Sequence, residues 1–190
     1  MGENYKKIPQ DTLQIMDRGS YITNDKREER PKYVFFWHEY DKNGYLSNWY
    51  ESPFVIDDFK YRNVEQYVMA QKAKLFHDAD GYTAILRAST PKECKALGKL
   101  VKPFDAELWD ANKVRIMTEG NRAKFQQNPD LMEKLLDTGE ALLAEASPYD
   151  GVWGIKLAAE DAALISPSEW PGQNLLGSIL MELRLEFLGK

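Results

Sequence analysis

The sequence is poor in the residues that bind metals and form disulfides. Its 190 residues include one cysteine, Cys94, and two histidines, His38 and His77. A single cysteine excludes an internal disulfide framework and is typical of proteins in a reducing compartment. These three side chains are too few for a structural Cys/His zinc site, and the sequence contains no EF-hand-like loop. We therefore expect neither a metal site nor a cofactor.

Long apolar runs are also missing. No stretch reaches the roughly 18 consecutive apolar residues that a membrane-spanning helix needs. The N-terminal region lacks the apolar core of a secretory signal peptide. The sequence therefore predicts an intracellular protein, cytoplasmic or nuclear, with no membrane partner.

The charge balance is acidic overall but not uniform. The net charge of −5 argues against a protein that holds duplex nucleic acid by neutralising its phosphates. Residues 60–102 differ, because nine Lys and Arg stand there against four Asp and Glu. This basic segment is suited to a phosphate group, although a row of solvated helix lysines has the same pattern.

The order of polar and apolar residues predicts one domain with an extension. Residues 1–31 are polar and mixed in charge, which predicts a loosely ordered N-terminal extension before a domain at 32–190. Within the domain, β-prone segments at 33–40, 54–56 and 59–61 alternate with turn signals and predict a small antiparallel sheet. The rest is mainly helical, so the expected fold is α+β and predominantly helical.

Helical periodicity and capping signals define the expected helices. They cover residues 63–76, 82–88, 91–101, 106–127, 129–136 and 174–188. The apolar run at 141–146 fits either a buried strand or the tail of a helix, since short apolar runs do not distinguish the two.

The helix at 63–76 has two faces with different character. One face is apolar, and the other carries Glu65, Met69, Lys72 and Phe76 at helical spacing. Glu65 and Lys72 are two turns apart, about 10.5 Å along the axis, which leaves room for about one sugar ring between their side chains. Solvated surface charges would give the same spacing.

Three loops carry polar and aromatic residues that a packed core does not need. They are residues 47–49, 147–154 and 172–174. Trp49 and Trp153 are suited to stacking on a base, and Asn48 and Asn174 to binding sugar hydroxyls or a base edge. Burial in the core would also account for the tryptophans, and a turn or a helix cap for the asparagines.

Two acidic residues near the second loop are candidates for proton transfer. Glu145 interrupts an apolar run, and Asp150 precedes a glycine. A carboxylate in such a loop is suited to acid or base catalysis. An Asp before Gly is also a common turn residue.

Six motifs in this order resemble the NADAR family, over about residues 33–188. The motifs are GYLSNW (44–49), SPF (52–54), VEQ (64–66) with QKA (71–73), AKFQQNP (123–129), EASPYD (145–150) with VWGI (152–155), and GQNLLG (172–177). Gln66 replaces a histidine that many members have, and residues 156–169 form a longer segment than in compact bacterial members. Both departures bear on substrate preference rather than on reaction type.

The resemblance implies an N-glycosidase that cleaves a bond between ribose and an exocyclic amine. The family includes hydrolases that remove ADP-ribose from guanine and N-glycosidases of riboflavin intermediates. Within the family, two tryptophans near the proposed site and the locally basic segment favour ADP-ribosylated guanine as substrate, in nucleic acid or as a nucleotide, with ADP-ribose as product. The alternatives are a phosphoribosylamino-pyrimidine intermediate of riboflavin synthesis and a non-catalytic ADP-ribose-binding module.

The resemblance also implies roles for residues of this chain. Lys72 is the expected amine nucleophile, through a Schiff base with the sugar, Glu65 the proton carrier and Asp150 an assisting group. Direct attack by water, with Glu65 or Asp150 as base, is the competing mechanism. The expected substrate-binding residues are Asn48, Trp49, Glu145, Ser147, Tyr149, Trp153, Gly154 and Asn174.

Overall fold

The computed structural model describes residues 32–189, and the expected N-terminal extension, residues 1–31, lies outside them. The strands of the described region are β1 (Tyr33–Phe36), β2 (Phe54–Ile56), β3 (Phe59–Tyr61) and β4 (Leu142–Glu145). Its α-helices are α1 (Val64–Leu75), α2 (Ala79–Arg87), α3 (Pro91–Gly98), α4 (Ala106–Gln127), α5 (Pro129–Asp137), α6 (Ala159–Ala162) and α7 (Leu175–Phe187). The expected α+β, predominantly helical fold is confirmed.

Strands β2 and β3 form the expected small antiparallel sheet. Phe54 pairs with Tyr61, and Ile56 with Phe59. The two turn residues, Asp57 and Asp58, have φ angles of 50° and 64°. Left-handed conformations at both positions of a two-residue turn match the twist of a hairpin, and Asp tolerates them better than most residues.

Strand β1 does not join this hairpin, which corrects the expected grouping of the three strands. It pairs in parallel with β4, from Tyr33 opposite Leu142 to Phe36 opposite Glu145. The apolar run at 141–146 is therefore a strand rather than a helix tail. Its apolar residues are buried on both faces, which is typical of parallel strands. A partner about a hundred residues away leaves no signal in local periodicity.

Side-chain caps fix where the helices begin. The side chain of Asn63 accepts from the Gln66 backbone N–H at the start of α1, and that of Thr90 caps α3. Helix α2 begins at Ala79, three residues earlier than expected, because the side chain of Asp78 accepts from the Gly81 N–H. Helix α3 ends at Gly98 rather than near residue 101.

Helix α1 lies at the centre of the fold. It packs against α2, α3 and α4, while α7 packs against β4 and α4. Val64, Tyr67 and Val68 of α1 are buried in the main core, as the apolar stripe predicts. This packing places the first turn of α1 beside the 47–49 loop. None of the helices within residues 32–189 is long and apolar enough to cross a membrane.

Candidate active site

Glu65 lies buried in the first turn of α1. Its side chain is 7% exposed, and its Oε2 accepts a hydrogen bond from Trp49 Nε1 at 3.3 Å. Its backbone N–H donates to the Asn48 carbonyl at 3.1 Å, which fastens the 47–49 loop to the helix. Burial raises the pKa of Glu65 to about 7, although the charge of Lys95 and the Trp49 hydrogen bond lower it. Glu65 can therefore gain or lose a proton near neutral pH.

Glu145 carries the second carboxyl group, on a half-buried residue. It ends β4, where the chain leaves the parallel pair with β1. Burial raises the pKa of Glu145 to about 8, and the negative charges of Asp150 and Glu65 raise it further against the effect of Lys95. Its Oε2 is buried and has no hydrogen-bond partner among residues 32–189. A protonated Glu145 can therefore donate a hydrogen bond to a bound substrate.

Glu65 and Glu145 form a coupled pair. The charge of Glu65 raises the pKa of Glu145, and the charge of Asp150 raises the pKa of both. Interacting carboxyl groups lose their protons in two steps that belong to the pair. Because burial raises the pKa of both groups toward neutral pH, one group can act as base while the other acts as acid.

Glu145→Gln is expected to change how stability depends on pH. Because the pKa of Glu145 rises from 4.5 to about 8 on folding, the folded protein holds this proton more tightly than the unfolded chain does. That stabilisation is complete below pH 4.5 and is lost as the pH rises through 8. Relative to the parent protein, Glu145→Gln should therefore gain about 2–4 kcal/mol of unfolding free energy between about pH 5 and about pH 9.

Urea unfolding at both pH values measures this change. The exposed Glu133 on α5 offers a matched control, since Glu133→Gln makes the same chemical change at the surface, where substitutions alter stability little. An equal difference for Glu145→Gln at both pH values would contradict the assignment of a raised pKa.

Asp150 shapes the loop that follows β4. Its Oδ1 accepts from the backbone N–H groups of Val152, at 2.9 Å, and Trp153, at 2.8 Å. The carboxylate therefore folds the loop, as expected of an Asp before a glycine. The charge of Asp150 also raises the pKa of Glu65 and of Glu145. Asp150 therefore both shapes the loop and favours the protonated forms of the two glutamates.

Lys72 lies among aromatic rings further along α1. Its Nζ donates to the Gly98 carbonyl at 2.8 Å and lies 4.6 Å from the ring centroid of Phe104 and 5.6 Å from that of Trp109. Gly98 permits close packing of α3 on α1 at this point, since a Cβ there would collide with Met69. Burial lowers the pKa of Lys72, which favours the neutral, nucleophilic amine.

The structure gives Glu65 a different cationic neighbour from the one expected. Lys95 of α3 lowers the pKa of both glutamates, and its Nζ lies 5.9 Å from the ring centroid of Trp49. Sequence reasoning missed Lys95, for which the local excess of basic residues was the only signal. The amine near the two carboxyl groups is thus Lys95, whereas Lys72 lies against Gly98 and the rings of Phe104 and Trp109.

The two candidate asparagines bind protein groups. Asn48 donates to Met117 Sδ at 3.1 Å and accepts from Asn121 at 3.2 Å. Asn174, at φ 53°, accepts from the Glu145 N–H at 3.1 Å and donates to the Leu143 carbonyl at 2.9 Å. Asn174 therefore holds the end of β4 and with it the backbone of Glu145.

The remaining candidates line the loop after β4. Ser147 is buried, and Trp153 is half-buried against the core. Gly154 packs against the Glu145 backbone, where a Cβ would come within 2.7 Å of the Glu145 carbonyl oxygen. Tyr149 is 87% exposed, with its ring 6.1 Å from that of Trp37. Trp49 and Trp153 are therefore partly covered by the fold, whereas the Tyr149 ring is open to solvent.

Comparison with known proteins identifies the family of this chain. Residues 35–188 match the NADAR domain. The chain belongs to the NADAR family. Its relatives include N-glycosidase R617 of Acanthamoeba polyphaga mimivirus, at 45% identity over 83% of this chain and 98% of the viral protein. N-glycosidase Npun_R5314 of Nostoc punctiforme is 35% identical over 80% of this chain and 91% of its own length.

A solved structure has the same fold as this NADAR chain. The NMR structure of E. coli YbiA matches with a TM-score of 0.69 and 30% identity, over 83% of this chain and 85% of YbiA. The names of the viral and cyanobacterial relatives support N-glycosidase activity in the family.

Proposed function

We propose that this NADAR protein is an N-glycosidase that removes ADP-ribose from ADP-ribosylated guanine, in nucleic acid or as a nucleotide. The observation that carries this proposal is the pair of neighbouring glutamates, Glu65 buried beside Trp49 and Glu145 with a buried, unpartnered Oε2, whose pKa values are raised to about 7 and about 8. Cleaving a glycosylamine requires proton transfer to the sugar oxygen and to the leaving amine at neutral pH. Two carboxyl groups whose pKa values are raised toward neutral pH are suited to both transfers.

The surroundings of the pair support a large anionic substrate with two bases. Trp49 and Trp153 are half-buried and offer ring surface for stacking. Lys95 lies beside Trp49, and Lys72 lies between Phe104 and Trp109. Cations next to aromatic rings are suited to a diphosphate flanked by bases.

The proposed reaction uses Lys72 as the amine nucleophile. Glu145 donates its proton to the ribose ring oxygen, and the ring opens to an iminium between the anomeric carbon and the exocyclic nitrogen of guanine. The neutral amine of Lys72 adds to that carbon, and Glu65 moves the proton from the new amine to the guanine nitrogen. Guanine leaves with its amino group restored, and the sugar stays on Lys72 as a Schiff base.

Water then completes the reaction. It adds to the Schiff base while Glu65 takes its proton, and Glu65 then gives that proton to the Lys72 nitrogen. The carbon–nitrogen bond breaks as the new hydroxyl gives its proton to Glu145, so ADP-ribose leaves and the neutral amine and both glutamates are restored. Asp150 supports the cycle because its charge favours the protonated form of Glu145. In the competing mechanism water attacks an oxocarbenium-like centre directly, with Glu65 or Asp150 as base, and no sugar becomes attached to the enzyme.

A second candidate substrate is a phosphoribosylamino-pyrimidine intermediate of riboflavin synthesis. Relatives named riboflavin biosynthesis proteins favour it. They include PYRR of Zea mays, at 32% identity, and VVA0006 of Vibrio vulnificus, at 29%. This chain covers 25% of the maize protein and 38% of the Vibrio protein.

A competition assay tests the substrate assignment. The protein is given ADP-ribosylated guanosine monophosphate and the riboflavin pyrimidine together, and both products are followed over time. We expect the guanine substrate to be consumed with the higher kcat/KM. A preference for the pyrimidine would reverse the order of the two proposals, and binding of ADP-ribose without turnover of either would favour a non-catalytic binding module.

A further inference from the structure

Helix α4 has a buried polar face that the proposed reaction does not use. Met117, Asn121 and Lys124 are buried along it at helical spacing, and Asn121 and Lys124 are both 0% exposed. Each of the three contacts the 47–48 segment, Met117 and Asn121 through Asn48 and Lys124 through Ser47. Burying polar side chains costs free energy unless they are hydrogen-bonded. The hydrogen-bond partners of these residues therefore indicate which part of the structure they stabilise.

Of these side chains, Lys124 costs the most free energy to bury, because it carries an amine. Its Nζ donates to the Ser47 carbonyl at 2.9 Å, between the rings of Tyr50 at 5.8 Å and Phe125 at 5.1 Å. Burial lowers the pKa of Lys124 to about 7. An apolar side chain of similar length would fill this space without the cost of burying an amine. The contribution of the amine therefore lies in its hold on the Ser47 carbonyl.

The bound loop leads directly to Glu65. The Trp49 backbone N–H donates to Ser47 Oγ at 3.3 Å, and the Trp49 ring N–H donates to Glu65 at 3.3 Å. The Asn48 carbonyl accepts from the Glu65 N–H. Displacement of Ser47 would therefore change the distance between Trp49 Nε1 and the Glu65 carboxylate.

We propose that Lys124 is a positioning residue that holds the 47–49 loop so that Trp49 stays hydrogen-bonded to Glu65. The importance of this contact for catalysis rests on the proposed function, but the contact itself can be tested without substrate. The Trp49 hydrogen bond is one of the two interactions that lower the pKa of Glu65, the charge of Lys95 being the other. Loss of the bond should therefore raise the pH at which Glu65 ionises.

The other titratable groups around Glu65 lie on other elements. They are Cys94 and Lys95 on α3, Glu145 at the end of β4, and Asp150 in the following loop. Lys124→Met leaves all of them in place. A shift in the ionisation of Glu65 in this variant thus reports on the loop.

The experiment follows the carboxyl carbon of Glu65 by NMR during a pH titration, with the signal assigned by its absence in Glu65→Gln. In Lys124→Met we expect the midpoint to rise by about 0.5–1 pH unit, the size expected from one hydrogen bond. Leu135→Ala serves as control, because Leu135 is a buried core residue of α5. It should lower Tm without moving the midpoint. An unchanged midpoint in folded Lys124→Met overturns the proposal.

Trp49→Phe completes a double-mutant cycle. It removes the ring N–H and should raise the midpoint by itself, while adding Lys124→Met should then cause no further rise. Additive shifts would overturn the proposal. If Lys124→Met does not fold, Lys124→Leu takes its place because it also lacks the amine that binds the Ser47 carbonyl, and an unchanged midpoint in that folded variant overturns the proposal as well. Failure of the proposed function would leave these titrations unaffected, since they use no substrate.

Discussion

Glu65→Gln is expected to lower kcat for ADP-ribosyl-guanine hydrolysis by about 10²–10⁴-fold, the usual contribution of a general acid or base. The amide oxygen of Gln still accepts from Trp49 Nε1, so the loop and the helix should keep their arrangement. The variant loses only the ability to gain and release a proton. Steady-state kinetics, with Tm measured in parallel, separates this loss from unfolding.

The pH dependence of kcat/KM gives a second view of the same change. In the parent protein kcat/KM should rise through about pH 7 as Glu65 ionises and fall through about pH 8 as Glu145 loses its proton. Glu65→Gln should lose the rise near pH 7. Glu133→Gln, the same substitution at an exposed position, should keep the activity and both the rise and the fall of the pH profile. Near-parent activity in Glu65→Gln would remove Glu65 from the mechanism.

Lys72→Met is expected to lower kcat by at least about 10³-fold, because it removes the nucleophile. Met keeps most of the side-chain volume between Phe104 and Trp109, so stability should change little. Lys74→Met, an exposed change on the same helix, should keep full activity. Kinetics of the two variants tests whether the charge on α1 or the Lys72 amine itself is needed.

Chemical trapping shows whether Lys72 is the nucleophile or only an ion-pair partner. Borohydride added during turnover should leave a reduced sugar adduct, and peptide mapping should place it on Lys72. An adduct on Lys95 would transfer the nucleophile's role to the amine beside Glu65 and Glu145. Normal turnover without any adduct would contradict the Schiff-base mechanism and favour direct attack by water.

Local signals predicted much of the helical architecture. The bounds of α4, Ala106–Gln127, agree with the sequence because Asp105 caps its start and Pro129 follows its end. The sequence predicts too late a start for α2, because the cap at Asp78 is not evident from the sequence. Caps and breakers act within a few residues, so a sequence can show them directly.

Contacts between distant segments account for what the sequence did not predict. The parallel pairing of β1 with β4 depends on tertiary packing, as does the placement of Lys95 beside Glu65. The motif around Lys124 was identified, but the burial of its amine was not, since a lysine on a helix is usually solvated. Residue types alone suggest the carboxyl groups as candidates, whereas the effect of the Glu65 charge on Glu145 depends on their positions in the fold.

The most direct test of the central claim uses one ADP-ribosylated guanine in a short single-stranded oligonucleotide. Mass spectrometry follows the oligonucleotide and the released sugar after incubation with the parent protein and with Glu65→Gln. We expect the parent protein to return the oligonucleotide to its unmodified mass and to release one ADP-ribose for each guanine, and Glu65→Gln to leave it modified. An oligonucleotide that keeps its ADP-ribose with the parent protein, or that loses its guanine base together with the sugar, would contradict the account.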